Sequence, residues 1–178
     1  MQGPEEGEER TICLDELPKA RLHAEKTGRF NLYYDRTSCC ATFFKYKALN
    51  MLDLPKDMEL IEQGKARKEE VLEGYRKAVV VTMLYGANLC INIGTEAVDF
   101  ENTWGSSSFP ISLILDSKAI RERTSYMKLV RDDENVDVLG HKGSFEMGPT
   151  FTIGIIGDGS EGLTLDAFYE SVPHADTM

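Results

Sequence analysis

FNLYYDRTSCCATFFKYKA, Phe30 to Ala48, reads as strand, short loop and helix, with the loop where a phosphate cradle sits in nucleotide-binding proteins. Phe30 to Tyr34 is aromatic and apolar without polar alternation, which suits a strand covered on both faces. Thr37 or Ser38 then stands at a helix-cap position ahead of Phe43, Phe44 and Lys47. A working phosphate loop needs glycines so that backbone N–H groups turn toward the anion, a Lys for the outer phosphates and a Ser/Thr for magnesium. Asp35-Arg36-Thr37-Ser38-Cys39-Cys40 offers no glycine and no Lys-Ser/Thr pair. The sequence has the outline of a nucleotide site without its chemistry.

Downstream, Ala48 to Leu54 suggests a second strand closed by Pro55, followed by a polar connection containing Gly64. Val71, Leu72, Tyr75, Ala78, Val79, Thr82 and Met83 recur with helical spacing, and Gly86 sits where a left-handed cap ends such a helix. Glu73 and Lys77 add an i,i+4 pair. Asn88 to Gly94 is a strand, so strand, helix, strand with a long connection repeats the unit of a parallel sheet. Ser108 to Asp116 alternates like a strand, yet Ser108 with Pro110 starts a helix, and helix is the favoured reading. Val136–Leu139 and Ser144–Met147 read as a glycine-turned hairpin, and Phe151 to Ile156 is a strand ending in Gly157-Asp158-Gly159. Upstream, Leu17 to Lys26 fits a short helix stopped by Gly28.

The expected fold is a three-layer αβα domain with a mainly parallel, P-loop NTPase-like sheet. Residues 1–16 are expected to be an acidic, disordered tail, 17–172 the domain, and 173–178 a flexible end. In a parallel sheet the carboxyl ends of three strands share one edge, which places Asp35, Thr37, Ser38, Glu96 and Asp158 together as a vestigial nucleotide site. A hydrolytic third strand ends in Asp then Glu, one carboxylate for magnesium and one to orient water. Here Asn88 to Asn92 runs into Ile93-Gly94-Thr95-Glu96, so the magnesium acid is lacking. No catalytic residue, no metal ligand and no cofactor is expected, and nucleotide is disfavoured.

Composition narrows the classes further. The chain has 178 residues, 42% hydrophobic and 28% charged, with net charge −10. Residues 1–16 carry six acids against Arg10, half of that charge, and no basic stripe with interleaved aromatics follows, which argues against nucleic acid. No apolar run reaches the roughly 18 residues of a membrane span, and the acidic start is unlike a signal peptide. Cys13, Cys39, Cys40 and Cys90 lack C-x-x-C spacing, and His23, His141 and His174 are scattered, so buried thiols in a reduced, cytoplasmic setting fit better than zinc. The serine run Ser106 to Ser108 has no nucleophile elbow around it. Arg121 and Arg123 are either fingers onto a phosphate or a solvated helix face, and the solvated face is the default. Trp104 is either an exposed anchor for a partner or a core residue, and packing is the commoner use of so large a ring.

The order of these signals resembles the AAA+ modules of dynein heavy chains, above all the fifth, nucleotide-poor one. There the first strand ends in an Asp-Pro-Gln-x-Gln-Ala loop, a helix enters a strand through Phe-Gly-x-Pro-Leu, and Glu-x-Leu-Asp follows. Asp35 and Ala41, Gly86 and Leu89, and Glu96 and Asp99 match that pattern, while Arg36 to Cys40 replace its Pro-Gln-x-Gln core. The resemblance spans roughly Arg29 to Gly159. It implies a non-catalytic AAA+-like domain acting as a protein-interaction or structural module, in a cytoskeletal or ciliary protein such as those with IQ motifs and ankyrin repeats. It also implies a reduced lid, since only Leu163 to Val172 follows the last strand. The alternative from another class is a nucleotide- and magnesium-dependent enzyme or switch with a non-standard phosphate loop, using Asp35, Glu96 and Asp158.

Overall fold

Four strands carry the fold, β1 (Asn31–Asp35), β2 (Asn50–Asp53), β3 (Asn88–Gly94) and β4 (Thr152–Asp158), all parallel in the spatial order β1-β4-β3-β2. The computed structural model describes residues 10–48 and 50–178; residues 1–9 of the acidic tail and Leu49 of the expected second strand lie outside the described residues. Around the sheet lie α1 (Leu17–Thr27), α2 (Cys40–Lys47), α3 (Leu54–Glu62), α4 (Lys68–Tyr85), α5 (Ile111–Leu115), α6 (Arg123–Tyr126) and α7 (Leu165–Ser171).

The connections explain the layers. The path from β1 to β2 crosses two strands in one direction, and the paths from β2 to β3 and from β3 to β4 come back. Right-handed crossovers of opposite direction must lie on opposite faces. Accordingly α1 and α2 cover one face through Leu17, Cys40 and Phe44 packed on Tyr33, Cys90 and Ile156. The other face is larger: Leu72, Tyr75, Val79 and Met83 of α4, with Ile111, Ile114, Leu115 and Phe168, pack on Leu52, Leu89, Ile91, Ile153 and Ile155. Two covered faces account for the near-continuous apolar runs of β3 and β4.

Most expected elements are present, and two are corrected. Pro55 does not merely close β2; it occupies the first turn of α3, where its missing N–H costs nothing. Leu54, Met58 and Ile61 give that helix its apolar stripe, in a segment read from the sequence as a polar connection. The expected hairpin is reduced to a single antiparallel bridge, Val136 with Lys142, and 144–147 form no strand. Phe145 turns into the core and Gly148 N–H bonds Met83 C=O at 2.7 Å, so that segment is spent on the end of α4 instead of on a partner strand. Within Ser108 to Asp116 the favoured helix forms over Ile111–Leu115 only, as α5. The last residues close in a 3-10 turn, Ala175–Thr177, with Ala175 buried.

Candidate functional site

Two of the three expected strand ends meet, those of β1 and β4. β1 and β4 are neighbours with Asp35 opposite Asp158 in register, and β1 leads into α2 on one face while β4 leads to α7 on the other. This is the topological switch point, where open parallel sheets bind ligands.

What fills it is the chain itself. Asp35 accepts hydrogen bonds from Thr37 N (2.8 Å), Thr37 Oγ1 (2.7 Å) and Cys40 N (2.6 Å). Neither Thr37 nor Ser38 caps α2, contrary to the sequence expectation; Cys39 is the cap residue but its side chain makes no capping bond, and the Asp35 carboxylate does the capping from five residues back. Partial burial would raise the Asp35 carboxyl pKa, but the bonds from Cys40 and Thr37 outweigh it and hold the group below its usual value. A helix N-terminus whose amides would face a phosphate is thus occupied by an internal anion.

Ser38 and Asp158 complete the closure. Ser38 adopts a left-handed backbone, φ 56°, and its Oγ donates to Ser160 Oγ at 2.9 Å. Asp158 in turn accepts Ser160 N at 2.9 Å, and these bonds keep its carboxyl below the usual value against the opposing effect of burial. Tyr34 OH donates to Leu163 C=O at 2.6 Å and its ring stacks on Phe168, so the rim of the crevice is tied to the start of α7.

Glu96 stands apart. It is exposed in the turn after β3, and no side-chain partner of it occurs among the described residues. The acid position at the end of β3 is closed off by backbone geometry: β3 slips register against β4 between Asn92 and Gly94. Gly94, at φ 76°, then presses on Pro55, whose Cγ would lie 2.6 Å from any added Cβ. Asn92 spends both ends of its amide locally, donating to Asp53 Oδ1 at 3.1 Å and accepting Gly94 N at 3.2 Å.

Other candidates resolve into structural roles. Trp104 is 2% exposed and packs on Tyr75 at 5.5 Å, in line with the favoured packing reading and against a surface anchor. Arg121 and Arg123 are neither fingers nor simply solvated: Arg121 donates to Gly28 C=O (3.1 Å) and Phe151 C=O (2.8 Å), and Arg123 to Phe145 C=O (3.1 Å). Ser106 Oγ accepts Phe109 N at 3.0 Å in a local turn. Cys40 and Cys90 are buried; burial pushes the Cys40 thiol up to about 12 and that of Cys90 well above its normal value. Among the described residues no group of three or more His, Cys, Asp or Glu side chains is fit to hold a metal ion, and no helix is long and apolar enough to cross a membrane.

One site the sequence reading missed is Arg76, 2% exposed within the stripe of α4. It forks onto Glu134 (2.6 and 2.7 Å) and Glu73 (2.9 and 3.0 Å) and donates to Leu129 C=O, pinning the segment after α6 to α4. The only signal was a charged residue interrupting an apolar face. Compared with family models, with curated proteins and with solved structures, the chain finds no match in any of the three.

Proposed function

We propose that this domain is a nucleotide-independent, non-catalytic AAA+-like module, similar to the fifth module of dynein heavy chains, serving as a protein-interaction or structural unit of a cytoplasmic, cytoskeletal or ciliary protein. The observation that carries the reading is the Asp35 carboxylate lodged on the amides before α2. A nucleotide phosphate would have to displace an anion already hydrogen-bonded there, with no Lys in the loop to replace the lost contacts. Charge-assisted hydrogen bonds contribute about 1.5–3 kcal/mol each, so two or three missing ones lower affinity by several powers of ten. Asn92 and Gly94, in place of a magnesium acid, argue the same way.

The competing enzyme or switch reading draws on Asp35 and Asp158 lying side by side, since paired oxygens suit magnesium. Melting of the full chain with and without millimolar ATP and magnesium separates the two. A bound ligand at a hundred times its dissociation constant stabilises by about 2.7 kcal/mol, which raises the melting temperature of a chain this size by roughly 5–10 °C. The interaction-module reading expects no shift. An upward shift that Asp35→Ala abolishes overturns it.

A further inference from the structure

We propose that the groove between the C-terminal turn of α4 and the segment from Asp137 to Glu146 docks a basic peptide of a protein partner, seating one or two large apolar side chains between Leu84 and Val138. The inference deepens the interaction-module reading and rests on it. Of the eight large hydrophobic side chains that are well exposed among the described residues, four belong to these two elements: Val81 (41%), Tyr85 (62%), Val138 (58%) and Leu139 (79%). Isolated exposed hydrophobics are ordinary, but a collection of them beside a concavity marks a docking surface.

The concavity is lined by Leu84, Asp137, Val138, Ser144 and Glu146 and holds about 370 Å³. That lies at the low end of the roughly 300–1,000 Å³ of metabolite pockets, a size for anchor side chains of a peptide. Val81 and Tyr85, one turn apart on α4, flank Leu84 and extend the apolar ridge.

The opposite wall is built, not loose. Asp137 accepts Leu139 N and His141 N, both at 2.9 Å, and pairs with His141 Nδ1 at 2.7 Å. Gly140 N–H bonds Asp137 C=O at 3.0 Å, and Gly143 N–H bonds Asn135 C=O at 2.6 Å. A valine and a leucine are thereby held outward at the tip of a turn, where polar residues are the norm. Holding them in place beforehand removes much of the ordering cost of binding.

Charge selects the occupant. Both titratable groups lining the groove are carboxylates, and no Lys, Arg or His lines it. Asp137 is already engaged by His141 Nδ1 at 2.7 Å and by two backbone amides, so Glu146, exposed and without a side-chain partner among the described residues, is the group left to meet a Lys or Arg. Opposed charge at a rim steers association and fixes the orientation of the bound segment.

The test uses the full chain and a fluorescent amphipathic peptide of about twelve residues built from Lys, Leu and Trp, with its Glu-for-Lys counterpart as control. Anisotropy is expected to show binding of the basic peptide only. Leu139→Asp and Glu146→Lys should each weaken it about tenfold or more, and Glu146→Lys should bring in the acidic counterpart. Glu170→Lys, an equal charge change on exposed α7, should alter affinity less than about twofold. These side chains are exposed, so melting temperatures stay near that of the parent. Failure of the basic peptide to bind, or an equal loss from Glu170→Lys and Glu146→Lys, overturns the proposal. Melting with ATP is read separately, so a failed groove and a failed module reading give different results.

Discussion

Replacing Asp35 by alanine strips one carboxylate from three donors at once. Thr37 N, Thr37 Oγ1 and Cys40 N lose an acceptor at 2.6–2.8 Å, and Cys40 N opens a helix whose Cys40 side chain is buried. Losing a helix cap costs about 0.5–2 kcal/mol, and the attraction of a carboxylate to the helix dipole adds about 0.3–1 kcal/mol. The loop is partly open to solvent, which screens the charge and favours the middle of the combined range, about 2 kcal/mol. For a chain of this size that lowers the melting temperature by about 4–8 °C. Asp35→Asn keeps an acceptor oxygen and should lose about half as much. The pH dependence has a definite sign. The folded carboxyl is held below its unfolded value near 4 by Cys40 and Thr37, against partial burial. Its stabilisation is therefore complete above about pH 4 and disappears as pH falls through the lower, folded value. Thermal melts of parent and both variants from neutral pH to about pH 2.5 read all of this. The capping account fails if Asp35→Ala melts within about 1 °C of the parent at neutral pH, or if the gap does not close in acid.

Three further outcomes follow from the packing. Glu134→Ala leaves the buried Arg76 with only Glu73 and a carbonyl, and should destabilise by about 3 kcal/mol in urea titration, the low end for a broken buried pair because Glu134 is itself 21% exposed. The matched Arg76→Met, which removes the buried charge, should cost less than that; the reverse order would refute the ion-pair account. Gly154→Ala places a methyl 2.8 Å from the ring of Tyr33, a buried residue that also packs on Phe44 with ring centroids 5.0 Å apart, so it should destabilise by about 1–3 kcal/mol and lower the melting point. At pH 7.5 a thiol reagent should label Cys13 and Cys39 quickly and Cys40 and Cys90 only after denaturation, because the latter two are buried and protonated; four fast thiols in the folded chain would contradict the structure.

Much of the fold was legible because periodicity and punctuation are local. The spacing from Val71 to Met83 gives α4, Gly86 ends it, and the unbroken apolar runs of β3 and β4 call for a sheet covered on both faces. The absence of glycine and Lys from Asp35 to Cys40 was equally plain. The Asp-x-Thr spacing that lets Asp35 turn onto Thr37 is also in the sequence but reads instead as a Thr37 or Ser38 cap, because the partner that gives it meaning, Cys40, lies further along the chain. α3 was hidden because Pro55 serves both as a strand stop and as a helix start, and the choice depends on Leu54, Met58 and Ile61 finding the core. The supposed hairpin failed for a similar reason: Phe145 gains more by entering the core than by pairing a strand.

By itself, then, the sequence determined an α/β chain with a parallel sheet and a loop stripped of phosphate chemistry, because backbone preference and missing functional groups are properties of short segments. Only the tertiary structure decided that β1 and β4 are neighbours, that Asp35 answers the amides a phosphate would have used, and that Val138 stands beside Leu84 at the end of α4. Those are meetings of distant segments, set by crossover handedness and by competition for the core, and no local pattern records them.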